Sequence, residues 1–202
     1  MTTAVGLRER KKAQTRQALQ DAAMGLFVQQ GFEGTTVEEI AEACDVSPRT
    51  FFRYFPTKEE VLFGDSQERC ASLLAVLAAE PPELPPLVAL QGALRAIALD
   101  YRDERALLLA RAEIVQGSPN LRAYKAEHQR GWEEAIVDEL TRRAHDTGSS
   151  ISPLELRLVT SVSISALRAA LDTWLDDADA PDILVLLDQA FEHMTGGFVA
   201  LT

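Results

Sequence analysis

The side chains with the most to offer chemically lie close together. Ser47-Pro48-Arg49-Thr50-Phe51-Phe52-Arg53-Tyr54 places two guanidinium groups, two aliphatic hydroxyls and a phenol within eight residues, and Lys58 follows four residues on. A guanidinium presents paired N–H donors that match the O6 and N7 acceptors of guanine, and a threonine methyl suits the methyl of thymine. Pro48, Arg49 and Thr50 form the leading half of this stretch. Arg49 and Thr50 are expected to face bases, and Arg53, one helical turn on, a base or a phosphate. Thr36 and Ser47 stand where short helices would begin, and free amides at a helix start attract an anion. Upstream, Arg8, Arg10, Lys11, Lys12 and Arg16 crowd into nine residues against a single acid, Glu9. Of these, Arg8, Lys11 and Lys12 are the candidates for a flanking backbone or minor-groove contact.

Other chemistries find little support. There is no GxSxG, HExxH, Walker loop or GxGxxG, and the three histidines, His128, His145 and His193, are scattered. No enzyme, cofactor or metal site is expected. Cys44 and Cys70 fit no metal-ligand spacing and read as packing thiols in a reduced, cytoplasmic setting. No apolar stretch is long enough to span a membrane, and MTTAVGLRERKK lacks the apolar core of a secretory signal. The net charge of −11 argues at first against a polyanionic partner. Its distribution reverses the argument. Residues 1–58 carry eight Lys/Arg and seven Asp/Glu, a net of +1, and residues 59–202 carry twelve and twenty-four, a net of −12. Local field, rather than total charge, governs contact with a nucleic acid.

The elements that must position these groups are all helical. Leu and Ala dominate and β-branched runs are scarce, a composition of helices packed on helices. Leu19, Ala22, Ala23, Leu26 and Phe27 form one apolar face of a helix over 10–30, closed by Gly31 as a left-handed cap. Thr36-Val37-Glu38-Glu39 is a capping box opening a short helix to Cys44. Asp45-Val46 turns the chain, and Ser47 as N-cap with Pro48 at the first position opens a second short helix ending at Pro56. Two short helices joined by a tight turn make a helix-turn-helix, with Phe27, Phe32, Ile40, Val46, Phe51 and Phe55 as its expected core. Thr57-Lys58-Glu59-Glu60, another capping box, starts a helix expected to run unbroken to about Ala79. Pro-Pro-Glu-Leu-Pro-Pro at 81–86 is a rigid connector. Helices at about 87–102, 105–115, 119–145, 153–176 and 182–199 complete about nine. The division expected is a DNA-binding domain at 1–56 and a helical domain at 57–202, with helix 57–79 alone belonging to both.

TTVEEIAEACDVSPRTFFRYFPTKEEVL resembles the signature of the TetR family, bacterial transcriptional regulators, over roughly residues 8–63. The wording SPRTFFRYFPTKE, the Arg-rich lead and the acidic C-terminal helices resemble the actinobacterial branch of mycofactocin-system regulators. The resemblance implies a homodimeric repressor on double-stranded, palindromic operator DNA, released when a small-molecule inducer binds the second domain. An activator or a ligand-independent regulator on the same fold is the alternative. Tyr54 and Lys58 match the family's backbone-binding positions. Two positions depart from the pattern. The turn residue, usually Gly, is Asp45, which tolerates left-handed geometry. The usual Tyr of the recognition helix is Phe52, whose ring has no hydroxyl for a phosphate but can pack on a sugar or a thymine methyl.

For dimerisation, Leu184, Leu187, Phe191, Met194 and Phe198 step by three and four in an apolar seam. The same spacing serves an intramolecular core face equally well, and the resemblance tips the expectation to the dimer. Ser161, Ser163, Ser165, Ala166, Ala169 and Ala170 allow close helix approach. The resemblance also implies a ligand pocket, mostly apolar with a few polar anchors. Tyr101, Arg111, Glu113, Tyr124, His128 and Trp132 are the candidates to line it, and a hydrophobic or long-chain acyl thioester ligand is expected.

Overall fold

Helices make up the regular structure of residues 3–196, the part of the chain described by this computed structural model (for 3–5 and 7–9, the backbone alone). Ten helical segments run through it: α1 (Thr3–Gln30), α2 (Val37–Ala43), α3 (Pro48–Tyr54), α4 (Glu60–Phe63), α5 (Ser66–Ala79), α6 (Pro86–Arg102), α7 (Arg105–Gly117), α8 (Pro119–Asp146), α9 (Pro153–Asp176) and α10 (Ile183–Gly196). The all-helical class and most of the expected spans are as the sequence indicated. Two helices differ. Helix α1 starts seven residues earlier than expected, so the whole basic stretch from Arg8 to Lys12 is helical. The helix expected over 57–79 is two, parted at Gly64-Asp65. The Gly64 carbonyl accepts from Arg16 Nη2 at 2.5 Å, and a Cβ on residue 64 would stand 2.7 Å from that nitrogen. The firmer obstacle to a side chain here is main chain, since the same Cβ would stand 2.6 Å from Glu60 O.

Most local signals act as read; at Thr57 the hydroxyl accepts from the Glu60 amide at 3.3 Å, but α4 begins at Glu60 with Glu59 as its N-cap and no side-chain cap bond from Glu59. Thr36 Oγ1 accepts from the Glu39 amide at 3.2 Å, and the Glu39 carboxylate accepts from the Thr36 amide at 2.8 Å. Those bonds favour the charged carboxylate and lower its pKa. Their contribution is full above the ordinary carboxyl value and is lost as pH falls through the lowered one. Ser152 and Glu155 repeat the box at the start of α9. Ser47 Oγ accepts from the Thr50 amide at 3.2 Å, with Pro48 at the first helical position. At the end of α2 the Val46 amide donates to Ala41 O and the Asp45 amide to Glu42 O, both at 3.0 Å. This is a Schellman closure, which needs a left-handed residue at Asp45. Asp45 has φ +52°.

The chain packs as two units. One comprises the chain up to Ser66 together with Ala110–Ala126, the other Gln67–Leu109 with the chain from Glu127. The division expected after residue 56 differs from this one because both flanks of the first core lie beyond it. Val61, Leu62, Val115 and Leu121 are buried with Leu19, Ala23, Phe27, Phe32, Ile40, Phe51 and Phe55, and Val46 packs against them half-buried. Polar bonds fix the α7–α8 corner to the same unit. Ser118, itself buried, donates to Glu33 at 2.8 Å, Tyr124 Oη donates to Glu60 at 2.6 Å, and Arg111 Nη1 reaches the Asp65 carboxylate at 2.9 Å.

In the second unit α9 packs on α10 and α6, and α10 on α6. Arg143, 6% exposed, caps the end of α5. Its guanidinium donates to Leu77 O, Glu80 O and Pro81 O at 2.7, 2.9 and 2.7 Å, satisfying carbonyls that a helix C-terminus leaves without amides. The proline-rich connector then turns, with the Leu84 amide on Pro81 O at 3.1 Å.

Replacing Asp45 with valine should destabilise the first unit by about 1–2 kcal/mol, since a β-branched residue resists the left-handed region, whereas Asp45→Gly should stay within about 1 kcal/mol of the parent. Chemical denaturation followed by circular dichroism gives both values. Equal losses for the two variants would mean that the turn's conformation is not what residue 45 supplies.

Candidate nucleic-acid interface

Helix α3 has seven residues, too few to be stable by its own hydrogen bonds. Its inner face holds it. Phe51 and Phe55 are fully buried, their centroids 5.6 Å apart. The outer face is what remains. Pro48, Arg49, Phe52 and Arg53 are exposed, while Thr50 and Tyr54 are half-buried. Among the described residues neither Arg49 nor Arg53 is paired with a carboxylate. The Arg53 guanidinium lies over the Tyr54 ring, 5.2 Å from its centroid. The outer face of α3 therefore offers two cationic forks and an apolar ring on a rigid base.

The hydroxyls of this region serve the fold. Thr36 Oγ1 lies 2.9 Å from the Glu39 carboxylate, and Ser47 Oγ 3.1 Å from Thr50 Oγ1. Lys11 and Lys12 are exposed on α1. The side chain of Arg8 lies outside the described residues.

Two cations of this region are turned inward, Lys58, a candidate phosphate contact, and Arg16 of the basic stretch. Lys58 Nζ donates to Phe32 O at 2.7 Å and Thr35 O at 2.8 Å, and it lies 4.1 Å from the centre of the Phe32 ring. The ammonium thus ties down the α1–α2 loop through two of its carbonyls. Arg16 lies over the Phe55 ring and donates to Tyr54 O at 3.5 Å in addition to Gly64. No local pattern marks either role, because the acceptors are main-chain carbonyls 23 to 48 residues away.

The family is then decided by comparison. A model of bacterial regulatory proteins of the tetR family matches residues 19–63, and a model of the MftR C-terminal domain matches residues 84–199. The chain belongs to the TetR family. As a TetR-family chain it is similar to the HTH-type transcriptional regulator TcmR of Streptomyces glaucescens, 36% identical over 93% of this chain and 84% of that protein. It is also similar to MftR of Mycobacterium tuberculosis, named for the regulation of mycofactocin biosynthesis, 27% identical over 93% of each. These matches place it in the mycofactocin-regulator-like branch. Among solved structures, Thermus thermophilus FadR in complex with lauroyl-CoA has a TM-score of 0.56 and 25% identity, covering 91% of this chain and 95% of that one. TetR-family proteins are DNA-binding regulators and not enzymes. Among the described residues no helix is long and apolar enough to cross a membrane.

The six ligand candidates fall in different units. Arg111, Glu113 and Tyr124 belong to the first. There Arg111 holds Asp65, and Tyr124 stacks on Phe63 at 5.3 Å as well as bonding Glu60, its phenol pushed up to about 12 mainly by burial. Glu113 is exposed. Tyr101, His128 and Trp132 are half-buried in the second unit, where the Arg69 guanidinium lies over the Tyr101 ring at 5.1 Å. The seam on α10 also divides. Leu187 and Phe191 are buried inside the chain's own second unit, at 0% and 2% exposure, so this part of the seam is intramolecular core. Leu184 and Met194 are half-buried, and Phe198 lies outside the described residues. Exposed instead is an apolar row on α9, Leu154, Leu158 and Val162, with Val185 on α10. Of the small residues on α9, Ser161, Ser165 and Ala169 share the solvent side, while Ser163, Ala166 and Ala170 face inward.

Lys58→Met keeps the aliphatic stem and removes the ammonium. It should lower the stability of the first unit by about 1.5–3 kcal/mol, the range for hydrogen bonds to charged groups, and leave the salt dependence of DNA binding unchanged. A slope of log K against log salt flatter by about 0.9 would show instead that Lys58 neutralises a phosphate.

Proposed function

We propose that this TetR-family chain is a sequence-specific repressor that binds a palindromic operator as a homodimer and leaves it on binding a hydrophobic or acyl-type small molecule. The observation that carries the DNA half of this reading is the outer face of α3. A helix-turn-helix reads the major groove with the exposed N-terminal part of its second helix, and that part here is Pro48, Arg49 and Thr50 with Arg53 one turn on. Arg49 contacts a guanine edge and Arg53 a base or phosphate. The helix starts at Thr36 and Ser47, through main-chain amides rather than the committed hydroxyls, and Tyr54 supply phosphate contacts, and the basic face of α1, including Arg8, Lys11 and Lys12, a flanking backbone. Lys58 is left out of the contact set because its ammonium is committed to the α1–α2 loop. Selection from a randomised duplex pool should return an inverted repeat with half-sites about 34–36 Å apart, or multiples of it. Arg49→Ala should relax one base pair per half-site at a cost of about 1–3 kcal/mol. An unchanged consensus would remove Arg49 from the base-reading set.

The dimer forms through the solvent side of α9. Leu154, Leu158 and Val162 repeat every four residues, and Ser161, Ser165 and Ala169 beside them let a second helix approach closely. Leu158→Asp sets a charge into that contact, where an unpaired carboxylate is costly. Sedimentation should then report a folded monomer. A dimer persisting in this variant would move the interface elsewhere. Phe191→Asp should instead unfold the second unit.

The ligand half rests on the apolar interior of the second unit and on the likeness to an acyl-CoA-bound FadR. Tyr101, His128 and Trp132 are the anchors nearest in kind, while Arg111, Glu113 and Tyr124 belong to the DNA-binding unit. Three stretches of chain pass from one unit to the other, at 66/67, within α7 at 109/110 and within α8 at 126/127. A single helix over 57–79 as sole transmitter gives way to these three. A ligand shifts the equilibrium only by its differential affinity for the two states. Lauroyl-CoA at saturation should weaken operator binding about tenfold or more, and free coenzyme A should not. Unaltered operator affinity with acyl-CoA of every chain length would point to another ligand class.

A further inference from the structure

The ring of Phe52 is 51% exposed on the outer face of α3, between two arginines. It is not a stray apolar residue free to fold away. It meets the Phe51 ring edge to face, centroids 5.5 Å apart at 87°, and Phe51 is fully buried. The T-shaped contact fixes the outward direction of the ring. Arg49 precedes it by three residues, so the two share one helical face, and Arg53 adjoins it. An exposed apolar ring sharing a helical face with a guanidinium is poorly matched to an apolar protein surface, which would have to desolvate that charge. It matches a polyanion that carries an apolar feature within reach of its charges.

We infer that Phe52 reads a 5-methylpyrimidine, thymine or 5-methylcytosine, in the major groove of the operator. The inference rests on the proposed DNA-binding function and adds to it a chemical requirement at one position. A phenyl ring has neither donor nor acceptor, so it cannot read the hydrogen-bonding pattern of a base edge and gains nothing from a phosphate oxygen. The apolar group that the major groove displays is the pyrimidine C5-methyl, and the minor groove displays none. Phe52 therefore discriminates by burying that methyl against its ring, while Arg49 on the same face reads the guanine acceptors. The half-site should hold a methylated pyrimidine next to the base pair that Arg49 reads. Because 5-methylcytosine carries the same methyl on a G·C pair, methylation of a cytosine at that position should restore affinity to an operator lacking the thymine.

The test uses the full chain and a duplex operator obtained by selection. Each thymine is replaced singly by deoxyuridine, which removes the methyl and nothing else. One position per half-site should lose about fourfold in affinity per methyl, the worth of one buried methyl group. In Phe52→Ala, thymine and deoxyuridine should bind alike at that position, and in Phe52→Leu part of the preference should remain. With guanine opposite, 5-methylcytosine should bind wild type about fourfold more tightly than cytosine there and show no advantage in Phe52→Ala. Thermal melts of the variants are expected to fall modestly, through loss of the edge-to-face contact on Phe51, with helical circular dichroism at the assay temperature unchanged. The inference is overturned if the deoxyuridine penalty is the same in wild type and Phe52→Ala at every position, or if 5-methylcytosine gives no gain. A chain that selects no sequence at all would overturn the repressor reading beneath it, a result distinct from ordered selection without methyl dependence.

Discussion

Everything at the DNA-binding end depends on the burial of Phe51 and Phe55. A helix of seven residues has too few internal hydrogen bonds to persist in water, so its place is set by what its inner face touches. Two rings four residues apart lock both the position and the rotation of α3. Once rotation is fixed, the remaining side chains have no choice of direction. Arg49, Phe52 and Arg53 are presented outward because their neighbours are presented inward.

That constraint spreads. The rings need a lining, which α1, the loop after it and α2 supply with Phe27, Phe32 and Ile40 and the distant corner of α7 and α8 supplies with Val115 and Leu121. The loops around the lining then need their carbonyls satisfied. Lys58 and Arg16 do this, each with its charge against an aromatic face as well as carbonyl oxygens. Cations of the DNA-binding region are thus divided between two duties, some bracing the fold and some left on its outer face.

The local grammar of the fold could be read from sequence. Capping boxes at Thr36 and Ser152, the Ser47-Pro48 start and the left-handed Asp45 all act within four or five residues, where the order of residue types carries the physics. The six residues expected at the centre of the first core were legible for the same reason, from helical spacing and aromatic content. What escaped was set at long range. The inward turn of Lys58 meets carbonyls of the 32–35 loop, and at the break at Gly64-Asp65 the exposed carbonyl is met by a guanidinium from α1. The seam on α10 shows the limit of periodicity. A three-four apolar repeat says that a face is buried, and Leu187 and Phe191 are; it does not say whether the cover comes from the same chain or from another copy. The ligand candidates on α7 and α8 show a related limit, since helical spacing does not tell that one helix serves two packing units according to position along it.

The membership of Ala110–Ala126 in the first unit bears on modularity. In primary sequence the DNA-reading part looks like a detachable head of some sixty residues, suited to transplantation between regulators. In three dimensions the head is discontinuous. A fragment ending at Ser66 would expose the site of Val115 and Leu121 to water and leave Glu33, Glu60 and Asp65 without Ser118, Tyr124 and Arg111. Chimeras that exchange heads at the end of α4 would join one protein's reading helix to another's corner. The transferable cassette is a split one, and shuffling of specificities within such proteins is constrained to partners whose α7–α8 corners already agree.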